Sequence, residues 1–187
     1  MAQDRRSELM DHAERAVRAR GYDGFSYADL ADAVGIKKAS IHYHFPAKAD
    51  LARALMDRYR EKMECACAAI DDAGGSAATR AAALIEVYRA ATRDGTSLCL
   101  CVAFIGSRES LSPPVIAEIS RYRAGMRAWI TAVFARAKTD GSIAALSESG
   151  SEAAATLALL EGAQLAARAE ARSEAFDEAL ESLQARL

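Results

Sequence analysis

Between Ser26 and Pro46 the chain has room for two short helices and one tight turn. Ser26 is placed to cap a helix over about Tyr27–Val34, because a serine oxygen can accept an orphaned N–H of the first turn. Gly35 stops that helix as a left-handed C′ residue, a conformation that glycine adopts without a Cβ penalty. The next helix, about Lys38–His44, has to end before Pro46, whose ring biases Phe45 away from α geometry. Where the two helices cross, small or apolar side chains are needed. Leu30, Ala31 and Val34 face inward from the first, Ile36 and Ile41 close the crossing, and Phe25 and Phe45 seal its ends.

That assignment leaves Lys38, Ser40, His42, Tyr43 and His44 on the outer face of the second helix. The face is polar, basic and aromatic, which suits a helix that enters the major groove with its N-terminal residues nearest the base edges. An Ala-x-x-x-Gly spacing alone would favour a compact helical corner with a solvated basic face. Charge is local rather than general: the 187 residues carry a formal −2. Residues 1–50 hold eight Lys/Arg against eight Asp/Glu, yet 33–49 contain Lys37, Lys38 and Lys48 and no acid. A protein that coats nucleic acid without selection is excluded, while a focused contact is not.

The rest of the chain reads as helix throughout. It is 51% hydrophobic but only 6% aromatic with three prolines, and its apolar content is mostly Ala and Leu, both strong helix formers. Alternating Val/Ile/Thr runs are missing. The expectation is an all-α fold of about nine helices. Leu9, Ala13, Ala16 and Val17 share a face of the first helix, which Gly21 and Gly24 end. A long helix follows over about 48–70, with further helices near 77–93, 98–105, 113–138, 152–171 and 174–186. Ser112-Pro113 makes an N-cap and N1 pair. Two parts are expected: a three-helix head, residues 1–47, and a larger body, 48–187.

No apolar run of 18 residues is present, and Asp4-Arg5-Arg6 replaces an apolar leader, so a cytoplasmic protein without a membrane span is expected. Its four cysteines should then be reduced. Cys65/Cys67 and Cys99/Cys101 are spaced i, i+2, which on a helix sends the thiols to nearly opposite sides. With no Cys-x-x-Cys, no metal site is expected. No His-Glu-x-x-His, phosphate loop or dinucleotide fingerprint occurs, and His12, His42 and His44 are the only histidines. The chain is read as a non-enzyme without a cofactor.

Gly35-Ile36-Lys37-Lys38-Ala39-Ser40-Ile41-His42-Tyr43-His44-Phe45-Pro46-Ala47-Lys48 resembles the signature of TetR-family transcriptional repressors, and Arg20–Ser26 is similar to the family's link between its first two helices. The resemblance implies a DNA-binding set of Ser26, Tyr27, Lys37, Lys38, Ser40, His42, Tyr43, His44 and Lys48. Tyr43 and Lys48 fall where the family contacts phosphate, and Lys38, Ser40 and His42 where base-edge or mixed contacts arise. His42 replaces a usual Tyr and Ala39 a usual Gly, which leaves base preference open. The chain starts close to its first helix, so no basic arm is expected for a minor groove. One head makes few phosphate contacts, so a dimer on a palindromic double-stranded operator is implied.

The resemblance extends to the body. Its last two helices, about 152–187, are implied to form a four-helix bundle with a second copy. Ala153, Ala154, Ala155, Ala158, Gly162, Ala163, Ala166 and Ala167 would let the helices approach, and Phe176, Leu180, Leu183 and Leu187 would supply apolar area. Tyr88, Phe104, Tyr122, Met126, Trp129 and Gln164 lie on helices that in the family surround a pocket for a small-molecule inducer, although each at helical spacing is more often plain core. Cys99-Leu100-Cys101-Val102 resembles a branch containing NemR and AcuR, in which a cysteine here lies near the ligand site. Cys99 is therefore either a sensor thiol or a small core hydrophobe. Leu98 and Arg168 depart from that branch, and chemistry requiring a lysine at position 168 has no residue to carry it.

Overall fold

The computed structural model describes residues 2–187, with side chains from residue 5 onward. Among the described residues there are nine α-helices, one 3-10 turn and no strand. They are α1 (Ala2–Arg20), α2 (Tyr27–Val34), α3 (Lys38–His44), α4 (Lys48–Ala73), α5 (Ala77–Thr92), α6 (Leu100–Ile105), α7 (Pro113–Asp140), α8 (Ser149–Glu170) and α9 (Glu174–Gln184), with the 3-10 turn at Arg108–Ser110. No described helix is long and apolar enough to cross a membrane. The chain divides into two compact units. The first runs to Arg60 and adds Leu100–Ser120; the second comprises Glu61–Cys99 and Arg121–Leu187.

In the first unit, Leu9, Ala13 and Val17 of α1 are fully buried, as are Ile41 of α3, Leu51, Leu55 and Met56 of α4, and Leu100 and Phe104 of α6. Helix α2 begins with a reciprocal cap. The Asp29 N–H donates to the Ser26 hydroxyl, while the Asp29 carboxylate accepts the Ser26 N–H at 2.6 Å. Gly35 ends α2 at φ 69°, and the Ile36 N–H reaches back to the Ala31 carbonyl. Arg58 of α4 clasps Asp11 and Glu14 of α1 at 2.7 and 2.8 Å. The unit thus extends past residue 47, because the start of α4 shares its core.

In the second unit α9 lies along α8, and Phe176, Leu180 and Leu183 are buried within the chain itself. So are Ala153, Ala163 and Ala167. These residues are occupied by the chain's own core, which corrects their expected place at an interface. The outward residues of α8 include Ala154, Ala155, Ala158, Gly162 and Leu165, with Leu165 50% exposed.

Two helix starts differ from the sequence expectation. Helix α6 begins at Leu100 rather than 98, because the Ser97 N–H turns back to the Thr92 carbonyl and the Cys99 N–H is taken by Gln164. Cys99 therefore precedes the helix. Helix α8 begins at Ser149 rather than 152, because the Glu148 carboxylate caps it by accepting the Ser151 N–H. The loop before α6 contains three successive left-handed residues, Arg93, Asp94 and Gly95, at φ 45°, 54° and 77°.

Candidate nucleic-acid interface

Helix α3 has one fully buried residue, Ile41, and that anchor fixes which face turns outward. Lys37, Lys38, Ala39, Ser40, His42 and Tyr43 are all exposed, and His44 is half-buried. Tyr43 is 83% exposed, far beyond what a tyrosine would be if it were serving the core. Its ring stands edge-on to that of His44, with centroids 5.2 Å apart. Arg5, Ile36, Ala39, Ser40, Tyr43 and His44 line an open groove of about 550 Å³ beside the helix. Ile36 thus helps to floor this groove instead of disappearing into the crossing.

The far end of α3 is held by side chains that accept or donate to its exit loop. The Tyr27 hydroxyl donates to the Phe45 carbonyl at 3.0 Å, and the His42 Nδ1 lies 3.0 Å from the Pro46 carbonyl. A carbonyl only accepts, so in this hydrogen bond Nδ1 is the donor. The His42 and Tyr27 rings meet edge to face at 5.0 Å. Burial, together with Asp50 and Tyr22, pushes the Tyr27 hydroxyl well above the usual tyrosine range. Tyr27 is buried, so its place in the DNA-binding set is corrected to that of a residue positioning α3. Ser26 stays exposed while its oxygen caps α2.

Lys48 is likewise redirected. Its ammonium donates to the Tyr22 and Phe25 carbonyls, each at 2.6 Å, and lies 4.4 and 4.3 Å from the centroids of those two rings. Burial lowers its pKa, opposed by Asp23 and Asp29. These contacts make Lys48 a staple between α4 and the α1–α2 link. Lys37, Lys38, Ser40, His42, Tyr43 and His44 remain together on one accessible face. Arg5 is the residue that the sequence reading missed; only the register of α1 against α3 could have revealed it.

The residues expected around an inducer divide. In the second unit, Gln164 is fully buried; its Oε1 accepts the Cys99 N–H and its Nε2 donates to the Tyr88 carbonyl, both at 2.9 Å. The Tyr88 and Tyr122 hydroxyls share a hydrogen bond of 3.0 Å, and Met126 is buried in the same unit. Trp129 is half-buried in that unit, and its indole N–H donates to Asp71 at 2.9 Å. Phe104 lies in the first unit, where its ring packs on that of Tyr22 with centroids 5.8 Å apart. Cys65 is exposed, whereas Cys67, Cys99 and Cys101 are buried. Burial, with Asp71 and Glu64 nearby, pushes the Cys67 thiol up to about 11. Among the described residues no group of three or more His, Cys, Asp or Glu could hold a metal ion.

The outward α3, the capped turn before it and the all-α architecture define a helix-turn-helix protein. Residues 9–55 match the family profile described as bacterial regulatory proteins, tetR family. The match to that family thus covers residues 9–55, about a quarter of the chain. It is 38% identical over 60 residues to the HTH-type transcriptional regulator TtgR of Pseudomonas putida, a match spanning 32% of this chain and 29% of TtgR. The aligned part is thus less than a third of that curated relative. A transcriptional regulator of the TetR family from Agrobacterium tumefaciens superposes over 100% of this chain and 99% of its own, with TM-score 0.94 and 28% identity. The reduced form of Escherichia coli NemR superposes over 97% and 96% with TM-score 0.82, but at 20% identity it shares the fold alone.

Proposed function

We propose that this protein is a cytoplasmic, ligand-responsive transcriptional repressor that binds a palindromic operator as a homodimer. The observation that carries the reading is the outer face of α3, where Tyr43 stands 83% exposed beside Lys37, Lys38, Ser40 and His42 on a helix pinned from behind by Ile41. A pinned helix with an unburied polar and aromatic face meets the need for base-edge contacts, and Lys37 and Lys38 supply charge for the backbone. DNA recognition is assigned to residues 1–47, and ligand binding and dimerisation to 48–187.

The second copy is placed against α8 and α9. Ala154, Ala155, Ala158 and Gly162 are outward and small, so a partner helix could approach closely, and exposed Leu165 adds apolar area. Two-fold pairing would set the recognition helices on half-sites roughly 34–36 Å apart. The inducer is assigned to the Tyr88, Tyr122, Met126 and Gln164 neighbourhood, with modification of Cys99 as a second route to release. Either signal works only by favouring a body conformation that binds the operator less well.

Gel shifts with duplex from upstream of the protein's own coding region test the repressor reading. A palindromic protected site is expected, and no binding at low salt would overturn it. Cys99→Ser should keep DNA affinity and abolish release by electrophiles; an unchanged response removes Cys99 from the mechanism.

A further inference from the structure

The first two turns of α1 carry adjacent arginines with different fates. Arg6 is turned toward the α3 exit, its guanidinium 4.9 Å from the centroid of Phe45 and its Nη1 3.4 Å from the Met10 sulfur. Arg5 lines the open groove with Ile36, Ala39, Ser40, Tyr43 and His44. Its side chain is 47% exposed, and its Nη1 donates to Glu8 one turn away at 2.9 Å. An exposed i, i+3 pair of this kind contributes little and is readily exchanged for a better acceptor. Guanidinium, Ser40 hydroxyl, Tyr43 hydroxyl and His44 ring together form a donor-rich wall around about 550 Å³. Ile36 and Ala39 add apolar lining to the same groove. Glu8 is the acid that faces Arg5, and residues 33–49 contain none.

The geometry points to this groove as the seat of a DNA backbone phosphate, with Arg5 of α1 as its charge-bearing contact; this rests on the DNA-binding reading of α3. A planar guanidinium matches phosphate geometry, and the same groove wall carries Tyr43, already placed toward the backbone. The contact positions the head without reading sequence, so it should act alike on every duplex.

The test is fluorescence anisotropy of the full chain on the upstream duplex and on an unrelated duplex of equal length, across a salt series. Arg5→Ala and Arg5→Gln should each weaken both complexes by a similar factor, about three- to tenfold for each protomer's lost contact, and flatten the slope of log affinity against log salt by about 0.9 per protomer, about 1.8 for the dimer. Arg5→Lys should restore the slope, and Glu8→Gln should tighten both complexes. A wild-type slope in Arg5→Ala and Arg5→Gln overturns the groove assignment and leaves the DNA reading standing. A loss confined to the upstream duplex also overturns it, because that is base reading. Absence of wild-type binding to either duplex at low salt overturns both.

Discussion

The ammonium of Lys48 donates to the carbonyl of Tyr22 at 2.6 Å and lies 4.4 Å from the centroid of the same residue's ring. With the second bond to Phe25, also 2.6 Å, one cation satisfies two carbonyls in the α1–α2 link. We expect Lys48→Met to lower stability by about 1.5–3 kcal/mol, the usual range for hydrogen bonds to a charged group. Thermal melts check this. An unchanged melt with lost DNA affinity would return Lys48 to a purely external phosphate role.

Gln164 joins α8 to the ends of two other segments by satisfying the Cys99 N–H and the Tyr88 carbonyl from a fully buried position. Gln164→Leu keeps the volume roughly and removes both partners. Each orphaned buried group should cost about 1–3 kcal/mol. Denaturant unfolding measures the loss, and a stability within error of wild type would show that these groups find other partners.

Two glycines with similar backbone angles should respond differently to alanine. Gly35 has φ +69° and open space where a Cβ would sit, so Gly35→Ala incurs only the left-handed penalty, about 1–2 kcal/mol. Gly95 has φ +77°, and its Cβ would meet the Ala167 carbonyl oxygen at 2.7 Å and the Arg172 N–H nitrogen at 3.0 Å. Backbone atoms cannot yield as a side chain does, so Gly95→Ala should be the more damaging. Equal melting shifts for the two variants would contradict this.

Acid should destabilise the chain through carboxylates held below their ordinary values. The Arg186 hydrogen bond does this for Glu152, the Ser26 N–H for Asp29 and the Ser142 hydroxyl for Asp140. A carboxyl with a lower pKa in the folded state binds more protons when unfolded, so its contribution is present above the unfolded value and lost as pH falls through the folded one. Melting temperature should hold from about pH 7 to 5 and fall once pH passes below the ordinary values of 4.5 for Glu and 3.8 for Asp. Glu152→Gln should make that fall shallower. A melt that improved on acidification would reverse the sign.

Thiol labelling should follow burial. Cys65 is exposed, while Cys99 is 1% exposed and Cys101 fully buried. A maleimide added to the native protein should modify Cys65 first, with Cys99 following only as the body opens. Peptide mass spectrometry over time distinguishes the order. Fast native labelling of Cys99 would favour its role as a sensor.

Much of the head was legible because its signals are local. Ser26 and Gly35 act within one turn of themselves, and each occupies the cap expected of it. Helix α3 likewise begins at Lys38 and ends before Pro46, where the side-chain pattern sets its limits. The body was less legible because Ala and Leu at helical spacing serve any apolar contact alike. Phe176, Leu180 and Leu183 looked available for a second copy, yet they are already buried within the same chain. Nor did helical spacing reveal that Trp129 bonds Asp71 or that Phe104 packs on Tyr22.

By itself the sequence determined the all-α class, the helix-turn-helix and the identity of its outward face, since caps, turn residues and a 3.6-residue period are read over a few neighbours. Tertiary structure alone decided that Lys48 and Tyr27 brace the head and that Arg5 lines its groove. It also decided that Gln164 holds Cys99 and Tyr88. Those relations join residues far apart in the chain, such as Gln164 and Cys99 at a separation of 65. A donor's choice among distant acceptors depends on how helices pack, which no local pattern encodes.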